Sequence, residues 1–220
     1  MLVLQRWRLA KPFAAASFSL SLYGEKCPAI RSDNGPPFAS AGVTGLTPLA
    51  VRFIKLGIAL ERIQPGKPQQ NGRHERFHLT MLPMADAPKA DKAAQARAFE
   101  DFRRSYNEER PHEALGMDTP AQHYRPSTRP MPKTAPEPDY PTEAAVRGVR
   151  QNGAVKWRGT EIYVSATLAG EPIAIEETED GEWTMRFHTH PLGFIDEKHM
   201  KLVRRSAAPS RPLGAAATAS

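Results

Sequence analysis

Two acidic residues stand where this chain could hold a divalent cation. Asp33 opens Asp33-Asn34-Gly35, and Glu75 lies in Gln64-Pro65-Gly66-Lys67-Pro68-Gln69-Gln70-Asn71-Gly72-Arg73-His74-Glu75-Arg76-Phe77-His78. Carboxylate oxygens are hard donors that suit magnesium or manganese, and such ions clamp the attacking and leaving oxygens of a phosphodiester displacement. Lys67, Arg73, His74, Arg76 and His78 surround Glu75 in sequence, company that keeps a carboxylate ionised. The same residues admit a second chemistry. His74-Glu75-Arg76-Phe77-His78 matches H-E-x-x-H, in which two histidines one helical turn apart bind zinc and the glutamate is the general base. Arg73 and Arg76 beside those ligands oppose a dication, and no fixed spacing selects a third ligand among Glu108, Glu109, His112 and Glu113. A third assignment is purely structural: His74 and His78 on the surface of an amphipathic helix, and Asp33 in an ordinary Asx turn.

The flanking residues say which elements must position these side chains. Pro65, Gly66 and Pro68 prevent regular structure, so a loop delivers a helix that starts near Gly72 and is expected to stop at Pro83. Ala29 to Ser32 is a short strand with Asp33 at its carboxyl end, where open α/β sheets gather their ligands. Thr47-Pro48 reads as an N-cap with proline at the first helical position, and that helix runs to about Leu56 and ends at Gly57. Ile58 to Ile63 is extended and returns the chain to the Glu75 loop. Further on, Phe99, Phe102 and Tyr106 recur at i, i+3 and i+7, a core-facing stripe opposite the solvated Glu100, Asp101, Arg103 and Arg104.

Composition narrows the class of partner. The 220 residues leave room for one medium domain and a small one, with 30 lysines and arginines against 24 acids, a formal charge of +6. That balance favours a polyanion such as DNA. Cys27 is the single cysteine, so the chain has neither an internal disulfide nor a cysteine zinc site, which suits a reducing cytoplasm. Residues 1–22 carry Arg6, Arg8 and Lys11 ahead of an apolar run broken by Ser17, Ser19 and Ser21. This run is too short and interrupted for an export signal and is read as a degenerate segment, and no later stretch is long enough to span a bilayer.

Four blocks in one order resemble the integrase core of bacterial insertion-sequence transposases, relatives of retroviral integrases. They are Tyr23-Gly24 with Ile30-Arg31-Ser32-Asp33-Asn34-Gly35-Pro36-Pro37-Phe38; Gly57-Ile58; Gly66 to Arg76; and Tyr106-Asn107-Glu108-Glu109-Arg110-Pro111-His112 through Ala121. The resemblance implies an α/β, partial RNase H-like core at residues 23–124. It also implies that Asp33 and Glu75 are the catalytic, metal-holding second and third members of an Asp, Asp, Glu triad for Mg2+ or Mn2+. Lys67, Asn71, Arg73 and Arg76 then contact DNA, and Tyr106 to His112 is a packing signature. One departure is Leu82, which stands where the family usually carries a phosphate-binding basic residue.

Beyond the core, Pro126, Pro130, Pro132, Pro136, Pro138 and Pro141 mark a linker at 125–144 with polyproline II character. About six short strands then alternate with turns at 145–205, which predicts a small antiparallel, SH3-like β-barrel, and 206–220 is a disordered tail. Lys156, Trp157 and Arg158 interleave charge with an aromatic ring, as DNA-binding surfaces do, although so small a barrel more often uses its tryptophan as core. His188 and His190 lack a third ligand and make a poor metal site.

Residues 1–32 contain no aspartate, and their only acid is Glu25. The expectation is therefore an N-terminally truncated transposase of DNA integration, lacking its first catalytic aspartate and catalytically incomplete. An alternative is a non-catalytic basic module that binds DNA or a partner subunit, and a zinc metallopeptidase is a distant third. The strand ending at Asp33 would present an open edge, so self-association into a homo-oligomer is also expected.

Overall fold

The structure is a computed structural model and describes residues 27–85 and 89–204. The degenerate segment at 1–22 and the tail at 206–220 lie outside the described residues. Among those described, no helix is long and apolar enough to cross a membrane.

In chain order the first elements are β1 (Ala29–Ser32), α1 (Pro48–Lys55) and β2 (Ala59–Arg62). β1 and β2 pair in parallel, Ala29 opposite Ala59 and Ser32 opposite Arg62. Parallel neighbours require a long crossover, and here it contains α1. The sequence signals for α1 act as expected. Thr47 Oγ1 accepts the Ala50 N–H at 3.1 Å, proline stands first, and Gly57 follows the end of the helix at φ 68°. After β2 come α2 (Gly72–Ala85) and α3 (Lys92–Arg104), the latter capped by Asp91, whose Oδ1 accepts the Ala94 N–H at 2.7 Å. A single π turn, Ser105–Glu109, and a short helix α4 (Pro120–His123) complete this part.

Two expectations need correction here. α2 runs two residues beyond Pro83 instead of stopping there. Proline removes the hydrogen bond of its own nitrogen, and in the last turn that loss falls where the ladder is about to end. The Phe99, Phe102, Tyr106 stripe does turn inward, but α3 contains no fully buried residue. Its rings gather around Phe77 of α2, with Phe102 edge-on at 5.9 Å and Tyr106 at 5.0 Å, and His112 edge-on to Tyr106 at 4.7 Å.

The described residues divide into two compact units. One takes in residues 27–38 and Leu56–Ala135; the other takes in Ala39–Lys55, hence α1, together with residues 136–204. In the second unit the strands are β3 (Ala145–Gly148), β4 (Ala154–Trp157), β5 (Thr160–Tyr163), β6 (Pro172–Glu177), β7 (Trp183–Phe187), β8 (His190–Asp196) and β9 (Lys201–Val203). They form a five-stranded antiparallel sheet in the order β3-β6-β7-β8-β9 and a separate β4-β5 hairpin.

The expected barrel is therefore not closed. β4 lies against β3 and β5 against β9, but no strand ladder joins them. Between β3 and β4 the chain turns at Gly153. Its backbone, at φ 79°, passes so close to Ala166 that an added Cβ would stand 2.7 Å from the Ala166 nitrogen, and its carbonyl accepts the N–H groups of Val164 and Ser165. Past this tight turn β4 pairs with β5. In the main sheet Ile173, Ala174 and Ile175 are buried in succession, so β6 is covered on both faces. Within the same unit α1 buries Leu49, Phe53 and Ile54 and packs on the short turn Ala166–Leu168, and Lys55 Nζ meets Glu171 Oε1 at 2.7 Å.

Candidate metal and nucleic-acid site

Asp33 follows β1 directly and is exposed, and its Oδ1 accepts the Gly35 N–H at 3.3 Å in an Asx turn. The turn and a metal role are compatible, because one carboxylate oxygen remains uncommitted to it. The next residue does something the sequence did not announce. Asn34 Nδ2 donates to the Ile63 carbonyl at 2.9 Å, and the Ile63 N–H donates to the Ser32 carbonyl at 3.2 Å. These two bonds staple the carboxyl ends of β1 and β2 together. Asp33 thus sits at the edge from which the chain departs toward Glu75. The signal available in the sequence was the asparagine of Asp-Asn-Gly, a side chain that commonly bonds nearby backbone.

The loop from β2 to α2 is built by its own polar residues. Gln64-Pro65-Gly66-Lys67 is a turn with proline second and Gly66 third at φ 75°, closed by the Lys67 N–H on the Gln64 carbonyl at 3.0 Å. Gln70 reaches back, its Oε1 accepting the Gln64 N–H at 2.8 Å. A short 3-10 turn, Pro68–Asn71, then feeds α2. Glu75 is exposed in the first turn of α2, where a negative charge faces the positive end of the helix dipole. Phe77 and Met81, one turn apart, are the buried positions among the described side chains of that helix. Lys67 and Arg76 are exposed, Asn71 is half-buried, and Arg73 belongs by its backbone to the first turn.

Asp33 and Glu75 are exposed carboxylates on segments that leave one end of a parallel strand pair. Their chemistry fits Mg2+ or Mn2+ as two ligands of a set that water and substrate phosphate complete. Among the described residues no three of histidine, cysteine, aspartate and glutamate group to hold a metal ion. The pair alone therefore does not supply the charge that two adjacent cations require. The zinc motif does lie on a helix, α2, but no third protein ligand is grouped with it among the described residues. His112 serves the packing of this unit, since its ring rests on Tyr106 and its Nε2 lies 3.3 Å from the Tyr106 carbonyl oxygen.

The remaining two predicted DNA contacts, Lys156 and Arg158, belong to the second unit. Lys156 is exposed on β4, directly across the hairpin from Glu161. Arg158 is more committed than expected. It pairs with Glu197 and lies over the rings of Trp157 and Trp183. Trp157 is buried, as a core tryptophan should be.

Comparison with known proteins adds two domain matches. Residues 56–120 match the family model described as integrase core domain, and residues 144–202 match that of the IS481 family transposase, C-terminal domain. The uncharacterized 39.2 kDa protein of insertion element IS476 from Xanthomonas euvesicatoria is 36% identical over 96 residues, 43% of this chain and 26% of that protein. The chain thus spans about a quarter of the length of this relative. A solved structure of the simian T-cell lymphotropic virus intasome, in complex with the PP2A regulatory subunit B56 gamma, aligns over 90% of this chain and 64% of its own. Its identity is 16% and its TM-score 0.35, a likeness too slight to equate the folds. In this order, then, one segment of the chain is similar to an integrase core domain and a later one to the C-terminal domain of IS481 family transposases.

Proposed function

We propose that the chain serves DNA transposition in the cytoplasm. In this reading its first unit is part of an RNase H-like core, and Asp33 and Glu75 hold a Mg2+ or Mn2+ ion against DNA phosphate. The observation that carries it is the stapled β1–β2 pair, whose shared carboxyl end sends off both carboxylate-bearing segments. A bound ion would supply Lewis-acid activation of water and then of a terminal hydroxyl. The chain's own residues hold and orient the substrate. Lys67, Arg73 and Arg76 flank Glu75 in the chain with positive charge, and Asn71 offers an amide to the phosphate backbone. Lys156 and Arg158 extend DNA contact to the second unit. β1 and β2 each keep one edge unpaired among the described residues, which gives a second copy a place to add.

With two carboxylates assigned to the ion and no group of three metal-ligating side chains among the described residues, this reading makes the chain a DNA-binding component whose own strand cleavage is weak or absent. Purified protein is expected to retain duplex DNA at low salt, with affinity falling steeply as salt rises, and to leave plasmid unnicked in Mg2+. Nicking that disappears in D33A or E75A would show that two carboxylates suffice and that the chain is a complete catalyst. Failure to retain DNA even at low salt would overturn the reading.

A further inference from the structure

We infer that Arg158, backed by Trp183 and Trp157, is a stacking platform for an unpaired nucleobase of the DNA substrate. The inference rests on the DNA reading above and names which feature of the DNA this face takes.

The first observation is backbone conformation. β4 and β5 are joined by two residues, Trp157 standing opposite Thr160, and both joining residues are left-handed, Arg158 at φ 45° and Gly159 at φ 85°. Such a turn favours asparagine, aspartate or glycine at its first position. An arginine there carries a Cβ clash with no local side-chain bond to relieve it, and strain of this kind gathers at functional positions.

The second is what the strained residue achieves. The Arg158 guanidinium lies 5.0 Å from the centre of the Trp183 ring and 5.7 Å from that of Trp157, the two rings themselves 4.8 Å apart. Its Nη1 donates to Glu197, which fixes the plane from the edge. The side chain is nevertheless 54% exposed. A rigid planar cation is thus supported from behind by aromatic rings and open to solvent. Arg147 approaches Trp157 as well, at 5.8 Å, and is exposed.

The third is chemical. If only phosphate were to be met, a lysine would serve, and Lys156 next door already offers one. A supported guanidinium plane matches the π-face of a base, the surface that duplex DNA conceals and an unpaired nucleotide exposes. The competing role is a purely structural cap over the hairpin.

The test uses the full chain and two oligonucleotides carrying 2-aminopurine, one single-stranded and one at an internal paired position of a blunt duplex. The single strand should bind with the probe's fluorescence quenched by stacking. R158K, which keeps the charge and loses the plane, should lower single-strand affinity about 5-fold or more, relieve the quenching, and lower duplex affinity by a clearly smaller factor. W183F, with folding verified by its circular dichroism and melting curve, should weaken the quenching in the same direction. Equal loss on both oligonucleotides, or quenching unchanged in R158K, would overturn the platform while leaving the DNA reading intact. Binding of neither oligonucleotide would overturn both.

Discussion

The two units bury very different amounts of apolar side chain. Among the described residues the first unit encloses Ile30, Ile58, Phe77 and Met81. The second encloses Val155, Ile162, Val164, Leu168, Ile173, Ile175, Met185 and Phe187 with no measurable exposure, and adds one face of α1. Burial is the main driving force of folding, so the second unit holds its shape by its core. The first relies on polar staples such as Asn34 on Ile63 and on edge contacts of the half-buried Phe102 and Tyr106 with the buried Phe77. The unit that carries the carboxylates has the smaller apolar core of the two. That is where ligand-binding segments are usually found, because ordering on binding is then available to stabilise them.

Two truncations of the same chemistry probe this contrast most directly. Phe187 is fully enclosed, and F187A should cost about 3–5 kcal/mol. Among the described residues Phe77 meets the rings of Phe102 and Tyr106, which are half-buried, so F77A should cost about 3 kcal/mol, at the low end of such truncations. Calorimetry is expected to show two transitions, the upper one lowered by F187A and the lower one by F77A. A single transition shifted equally by both would mean that the units share one cooperative core and do not differ in this way.

How much of this was legible beforehand also divides between the units. The strands, turns and α1 expected from the sequence follow from proline, glycine and capping residues, which act locally, and β1, α1 and β2 appear within a residue or two of their expected bounds. Barrel closure was not legible, because it depends on ladders between edges distant in the chain, which no local residue signals. The same holds for Gly193, at φ 146° beside the register shift at Met185 and Arg186, where a Cβ would collide with the Val203 carbonyl. At the site, the acids and their flanking cations were readable by type. Asn34 bonding to Ile63 was not, since it needs the parallel pairing before it has a partner.

The staple itself gives an intermediate effect. N34A removes one exposed side-chain hydrogen bond, worth about 0.5–1.5 kcal/mol. Amide exchange at Ile63, whose N–H is held by Ser32, should quicken by a corresponding factor of about 2–13, while amides of β6 in the second unit stay protected. D33N is the control: it keeps Asn34 and should leave Ile63 exchange unchanged. Equal acceleration by D33N would show that the Asx turn, rather than Asn34, ties the strands together.

The smallest effect is a pH dependence confined to the second unit. His188 lies in the β7–β8 turn at φ 50°, its N–H donating to Tyr140 Oη at 2.9 Å and its carbonyl accepting from Arg186 Nη1 at 2.8 Å. Burial pushes its imidazole below the ordinary value, with Lys55 acting in the same direction and Glu171 and Glu137 against it. Its buried Nε2 has no partner among the described residues. A histidine in an unfolded chain titrates near pH 6.5. Below that pH the unfolded chain takes up the proton first and the folded one resists it. Stability is therefore full above about pH 6.5 and declines as pH falls through the lower folded value. Asp196, held below the usual carboxylate range chiefly by its bond to His199, loses its contribution only in a more acidic window and does not overlap. The urea midpoint of the upper transition should thus decline between pH 7 and pH 5 in the wild type. In H188N, which suits the left-handed backbone and cannot titrate, it should stay flat. The same decline in both proteins would assign the pH dependence to another group.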